Sequence, residues 1–138
     1  MTSKITYLGQ LRTESVHIQS GATIFSDAPK DNQGQGAAFS PTDLVANALG
    51  SCMMTIMGIK ARDLAIDLEG TSLEVTKVMQ SEPRKMGAIH IQIYAPFQPN
   101  EKEQVLLERA AFTCPVFLSL HPELEKSIVF HWGQNQIQ

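Results

Sequence analysis

The chain has 138 residues, is 43% hydrophobic and 18% charged, and carries a formal net charge of −3, which fits one domain large enough to bury a core. The acidic balance argues against a nucleic-acid binder, which ordinarily presents a basic face, and seven prolines with nine glycines exclude a collagen-like or low-complexity chain. Met1 to Tyr7 contain no apolar core of a secretory signal, and no apolar run approaches the roughly 20 residues that span a bilayer, so a soluble, cytoplasmic single domain over residues 1–138 is expected.

The N-terminal third reads as β structure. Val16 and Ile18 alternate with His17 and Gln19, Ser20-Gly21 supplies a turn, and Ala22 to Phe25 continue as the second arm of a hairpin. From Asp27 to Ala38 follows a loop rich in Asp, Asn, Gly and Gln, of a length often used for function. Ser40, Pro41 and Asp43 then spell a helix start: a capping hydroxyl, a proline suited to the first turn, and a carboxylate three residues after the cap. From Leu44 to about Ala61 apolar residues recur so densely that the helix is expected to be buried on most sides. Gly50 and Gly58 inside it point to close approach by another element. A helix this apolar in so short a chain calls for a second subunit to cover it.

Leu73 and Val75 read as a strand with Lys77 on its apolar side, and Ser81 to Arg84 as a turn. Ile89, Ile91 and Ile93 alternate with His90, Gln92 and Tyr94 in a second strand, ended by Pro96 and Pro99. Asn100 with Glu103 forms another capping box for a helix to about Phe112, with Val105, Leu106 and Ala110 assigned to its apolar face. Thr113-Cys114-Pro115 breaks that helix and starts a short one to Leu120, and Ile128 to Trp132 form the last strand. The order β-β-α-β-β-α-α-β belongs to the α+β class.

The chemistry concentrates in two cysteines, Cys52 and Cys114. A reducing compartment seldom supports a structural disulfide. Cys52 lies midway along the apolar helix, where a thiol either fills space or, with a cation such as arginine beside it, becomes a nucleophile. Cys114 precedes Pro115 and so occupies the cap of a helix, whose free N–H groups favour a thiolate. Sixty-two residues separate the two, which excludes redox and zinc motifs of the CxxC type, and four scattered histidines give no metal-ligand spacing. His121 is close enough in sequence to Cys114 to be weighed as a Cys–His partner, without an evident oxyanion or acid group.

The run Phe39-Ser40-Pro41-Thr42-Asp43-Leu44-Val45-Ala46-Asn47-Ala48-Leu49-Gly50-Ser51-Cys52, followed much later by Cys114-Pro115-Val116, resembles the OsmC/Ohr family of osmotically induced and organic hydroperoxide resistance proteins. Ser26-Asp27-Ala28-Pro29 with Asp31-Asn32 resembles its OsmC-like branch in particular. The resemblance implies an antiparallel sheet wrapped around a long buried central helix in an intertwined homodimer. It implies a thiol-dependent peroxidase without a cofactor or metal, in which Cys52 attacks an organic hydroperoxide and Cys114 resolves the product to a disulfide. A lipoyl-type dithiol would then reduce the pair. Arg12 is the first choice for the activating arginine and Arg84 the second. Phe39, Asp43, Met53 and Phe112 are the candidate substrate contacts, with Met57 and Phe117 nearby in the same apolar set. Thr42 stands where established peroxidases of the family carry a glutamate. Two other readings stay open beside the enzyme: a redox-sensing or small-molecule-binding protein on the same fold, and purely structural cysteines.

Overall fold

In a computed structural model, which describes residues 1–135, three strands precede the long helix: β1 (Ser3–Gly9), β2 (Arg12–His17) and β3 (Thr23–Asp27). Helix α1 (Pro41–Asp63) is followed by β4 (Ser72–Gln80), β5 (Lys85–Ala95), α2 (Glu101–Ala111), α3 (Pro115–Ser119) and β6 (Glu125–Trp132). The α+β class holds. Contacts divide the chain into two compact units, Met1–Val45 and Ala46–Gln138, with the boundary inside α1.

The first unit is an antiparallel meander in the order β1-β2-β3. The sequence reading finds the second and third strands and misses β1. Its turn, Gly9-Gln10-Leu11, runs at φ 85°, 53° and 62°, and neither glutamine nor leucine announces a left-handed turn as asparagine or glycine does. Ile5 and Tyr7 on β1 are 65% and 64% exposed, so the strand has an apolar side without a cover in the same chain. The segment expected as a loop from Asp27 is tied back on itself around a single 3-10 turn, Lys30–Asn32. Gly36 N–H donates to the Ala28 carbonyl at 3.1 Å, and the Asp27 carboxylate accepts from Ala37 N–H at 2.8 Å. Gly34 passes so close to the Ala28 carbonyl that no Cβ fits. The capping box of α1 is present: Asp43 N–H donates to Ser40 Oγ at 3.1 Å, and Ser40 N–H to Asp43 Oδ2 at 3.0 Å.

The second unit is built on a three-stranded sheet in the order β4-β5-β6. One pair departs from the expected antiparallel sheet: β4 and β5 are antiparallel, but β5 and β6 run parallel. Parallel neighbours cannot be joined by a tight turn, so the chain from β5 to β6 makes a crossover, which here contains α2 and α3. Ile89, Ile91 and Ile93 are all but fully buried on one face of β5. The α1 residues Ala46, Leu49, Met53, Met57 and Ala61 join them in a single core cluster with Leu107 and Ala111 of α2. Positions three and four apart lie on one side of a helix, and each of these large side chains contributes about 1.5–3 kcal/mol by leaving water. Gly50 lets α1 approach the sheet, since a Cβ there would stand 3.0 Å from Val75 Cγ2.

Three further expectations are corrected by the structure. Within one chain α1 buries only that stripe, while Ile59 on another side is 53% exposed; one sheet covers one side of a helix. The buried face of α2 is Leu107, Ala110 and Ala111: Ala110 lies on it as expected, whereas Val105 is 44% exposed, because Leu107, three and four residues before Ala110 and Ala111, shares their side of the helix. By length and composition α1 is apolar enough to cross a bilayer, contrary to the sequence reading, yet its apolar stripe is spent on the core. The Asn100–Glu103 capping box of α2 forms in both directions.

Gly50→Val is expected to lower stability by about 1–3 kcal/mol through overpacking against Val75, and Asn100→Ala by about 1 kcal/mol through loss of the cap. Urea unfolding of both variants checks these values; a Gly50→Val variant as stable as the parent would contradict the close approach.

Candidate active site

Helix α2 ends at Ala111 with Phe112 as its C-cap, and the chain turns sharply there. Thr113 fixes the turn twice, its N–H and its hydroxyl both donating to the Ala110 carbonyl, at 3.0 and 2.7 Å. Cys114 follows in extended conformation and caps α3, with Pro115 in the first turn. Its sulfur accepts from Phe117 N–H at 3.2 Å and is fully buried. Proline and a small capping side chain thus put the second thiol where the sequence expected it.

Cys52 lies on α1 beside the buried stripe, one residue before Met53, and is half-buried. Its side chain lies near enough to that of Cys114 to act on the Cys114 thiol. Two residues remote in sequence are therefore neighbours at their sulfurs, and both are free thiols. Burial pushes the Cys114 thiol above its ordinary range, with the neighbouring Cys52 side chain acting in the same direction. The N–H groups of Phe117 and Val116 pull the other way and do not prevail. Cys114 is therefore held as the neutral thiol, and the half-buried Cys52 is the more accessible sulfur.

Around Cys114 stands an aromatic cluster. The Phe112 ring meets Phe117 edge-on at 5.5 Å and Phe130 at 6.2 Å, and Phe130 stacks on Trp132 at 5.9 Å. Lys126 Nζ lies 5.4 Å from the centre of the Phe117 ring. Trp132 Nε1–H donates to Glu108 Oε1 at 2.8 Å and ties β6 to α2. Of the candidate substrate contacts, Phe112 is here and 39% exposed, while Met53 and Met57 are fully buried in the core and back the site from inside. Asp43 is engaged in the cap of α1, and Phe39 is 54% exposed in the first unit. Arg84 lies in the turn between β4 and β5, and no cation is among the groups that set the Cys114 thiol. Arg12 sits on β2 directly opposite Asp27 of β3. His121, weighed as a base for Cys114, instead accepts the Glu123 N–H on Nδ1 at 3.1 Å. Among the described residues no group of three or more metal-ligating side chains occurs.

The sequence reading missed Asp27 as a buried carboxylate; its position at the end of a strand, before Ala28-Pro29, reads as a loop residue. No sequence signal marks it, because the register that sets it opposite Arg12 is known only from the fold.

A family model for OsmC-like proteins matches residues 34–128. The chain belongs to the OsmC family. Among solved structures, a Psychrobacter arcticus 273-4 protein, provisionally described as an osmotic stress induced and detoxification response protein, is 51% identical. That match covers 95% of this chain and 96% of the other, with a TM-score of 0.92. An organic hydroperoxide resistance protein OsmC from Legionella pneumophila is 17% identical over 95% of this chain and 97% of its own, with a TM-score of 0.72. One from Elizabethkingia anophelis with bound thiocyanate is 15% identical over 96% of both chains, with a TM-score of 0.74. At those identities the last two establish the shared OsmC fold. Among curated proteins none matches the sequence significantly.

In limited alkylation with iodoacetamide near pH 7.5, Cys52 is expected to react before Cys114. Because the Cys114 thiol is raised, its own reactivity should climb only in more alkaline solution than that of an ordinary thiol. Removing the neighbour by Cys52→Ser should shift that rise toward lower pH. Peptide mass spectrometry after timed quenching reads both, and equal rates at the two sulfurs would contradict the assignment.

Proposed function

We propose that the protein is a thiol-dependent peroxidase that reduces organic hydroperoxides in stress defence. The contact between the Cys52 and Cys114 side chains carries this reading. The Cys52 thiolate attacks the distal oxygen of ROOH. The O–O bond breaks, the alcohol leaves after protonation, and Cys52 becomes a sulfenic acid. Cys114 supplies a thiol to that sulfur, an S–S bond forms, and water departs. A dithiol of lipoyl type then exchanges with the disulfide, returning two cysteine thiols and leaving as its own cyclic disulfide.

The division of labour follows from burial. A half-buried sulfur meets the peroxide, and a buried neutral thiol waits beside it without competing for the oxidant. Arg12 is the proposed cation for the Cys52 thiolate, from its own or a second subunit, since guanidinium stays charged when desolvated. The apolar surface of Phe112 suits an organic peroxide better than hydrogen peroxide. We place the protein in the cytoplasm as a homodimer, which would cover Ile59 of α1 and the exposed Ile5, Tyr7 and Ile24 of the first sheet. A three-stranded sheet with apolar side chains left in water is poorly stable alone.

A redox sensor on the same fold is the second reading. It is favoured by Thr42, which offers a hydroxyl 3.2 Å from Ser40 Oγ where a carboxylate would orient an arginine.

Turnover of cumene hydroperoxide with dihydrolipoamide should be lost in Cys52→Ser, by at least about a thousandfold, as for removal of other catalytic nucleophiles. Cys114→Ser should complete one reduction and then hold a sulfenic acid that dimedone traps. Sedimentation should give twice the 15.2 kDa chain mass. A single slow oxidation of wild type without turnover would favour the sensor, and equal rates in wild type and Cys52→Ser would overturn the enzyme.

A further inference from the structure

Arg12 and Asp27 face each other as a directly opposed pair on the antiparallel strands β2 and β3. Opposed side chains leave the sheet on the same face, with Cβ atoms about 5 Å apart. Asp27 is fully buried, and its Oδ1 has no hydrogen-bond partner; the same is true of Arg12 Nε. The next rung is satisfied, since the hydroxyls of Thr13 and Ser26 share a hydrogen bond of 2.5 Å. A buried carboxylate oxygen without a donor and a buried guanidinium N–H without an acceptor are each costly, and here they occupy one rung. Asp27 is also the rigid member, because its Oδ2 is held by the Ala37 N–H at 2.8 Å. Arg12 has the longer, rotatable side chain, and its planar fork suits a carboxylate.

We propose that Asp27 is the positioning carboxylate for Arg12: a turn of the arginine side chain pairs its Nε–H with Asp27 Oδ1, leaving the outer guanidinium nitrogens for a thiolate or an oxyanion. The inference rests on the peroxidase reading for the task of Arg12, and it deepens that reading. It supplies from β3 the carboxylate that residue 42 lacks as threonine. Glu14 shares the face of β2 but stands opposite Phe25, so it serves as the control.

Asp27→Asn is the informative variant, because its amide oxygen can still accept from Ala37 N–H while the charge is gone. The expected loss of peroxide reduction is about 10–100-fold, the usual cost of removing a group that orients a catalytic one. The midpoint of the pH dependence of Cys52 alkylation should move upward in Asp27→Asn and in Arg12→Gln, and the double variant should be no worse than Arg12→Gln alone. Glu14→Gln should leave the midpoint in place. Thermal melts of the same variants report the structural share of Asp27. A lowered melting temperature in Asp27→Asn with an unmoved Cys52 midpoint would overturn the proposal, as would additive effects in the double variant. If wild type turns over no peroxide but the midpoints shift together, the positioning role stands and the peroxidase reading falls.

Discussion

Everything chemical in the second unit depends on the stripe of α1 that packs with the isoleucine ladder of β5. Leu49, Met53 and Met57 are fully buried together with Ile89 and Ile91, and the glycine at 50 sets how near the helix axis comes to the sheet. Cys52 rides on the flank of that stripe. Its depth is therefore not its own property but follows from the seating of its neighbours. A sulfur one residue off a buried ridge is screened from bulk water on one side and open on the other. That is a suitable condition for a nucleophile that must meet a foreign molecule.

The second sulfur is set by different physics. Cys114 owes its place to local backbone chemistry: the end of α2, the double hydrogen bond of Thr113 to Ala110, and Pro115 at the start of a new helix. Burial keeps it protonated despite the N–H groups that point to it. The two thiols are thus unlike in environment although alike in chemistry, and the proposed reaction rests on this inequality, with one oxidised first and the other responding.

How much of this the sequence revealed follows from the range of the interactions involved. The caps at Ser40–Asp43 and Asn100–Glu103 are written within four residues, and both formed as read. The alternation of Ile89, Ile91 and Ile93 likewise reports the burial of one strand face. Strand β1 escaped because its turn uses residues that do not advertise a left-handed backbone. The parallel partnership of β5 with β6 escaped because direction of pairing is decided by the crossover and not by either strand. Val105 against Leu107 was a slip of phase in a short helix, where one turn of apolar residues admits two faces. Family resemblance, not spacing, supplied the expectation that the two cysteines share a task. Asp27 stayed hidden because a buried charge is recognised only when its register partner is known.

The parallel pairing of β5 and β6 has a meaning for how the thiols come together. The second cysteine travels on a bridge that must pass over the sheet before the last strand can dock alongside β5. Until that bridge is closed, the sulfurs belong to distant parts of a coil. Reactivity of the pair is therefore a readout of completed topology: a nascent chain or a locally opened one holds two ordinary thiols, and only the finished fold holds a couple.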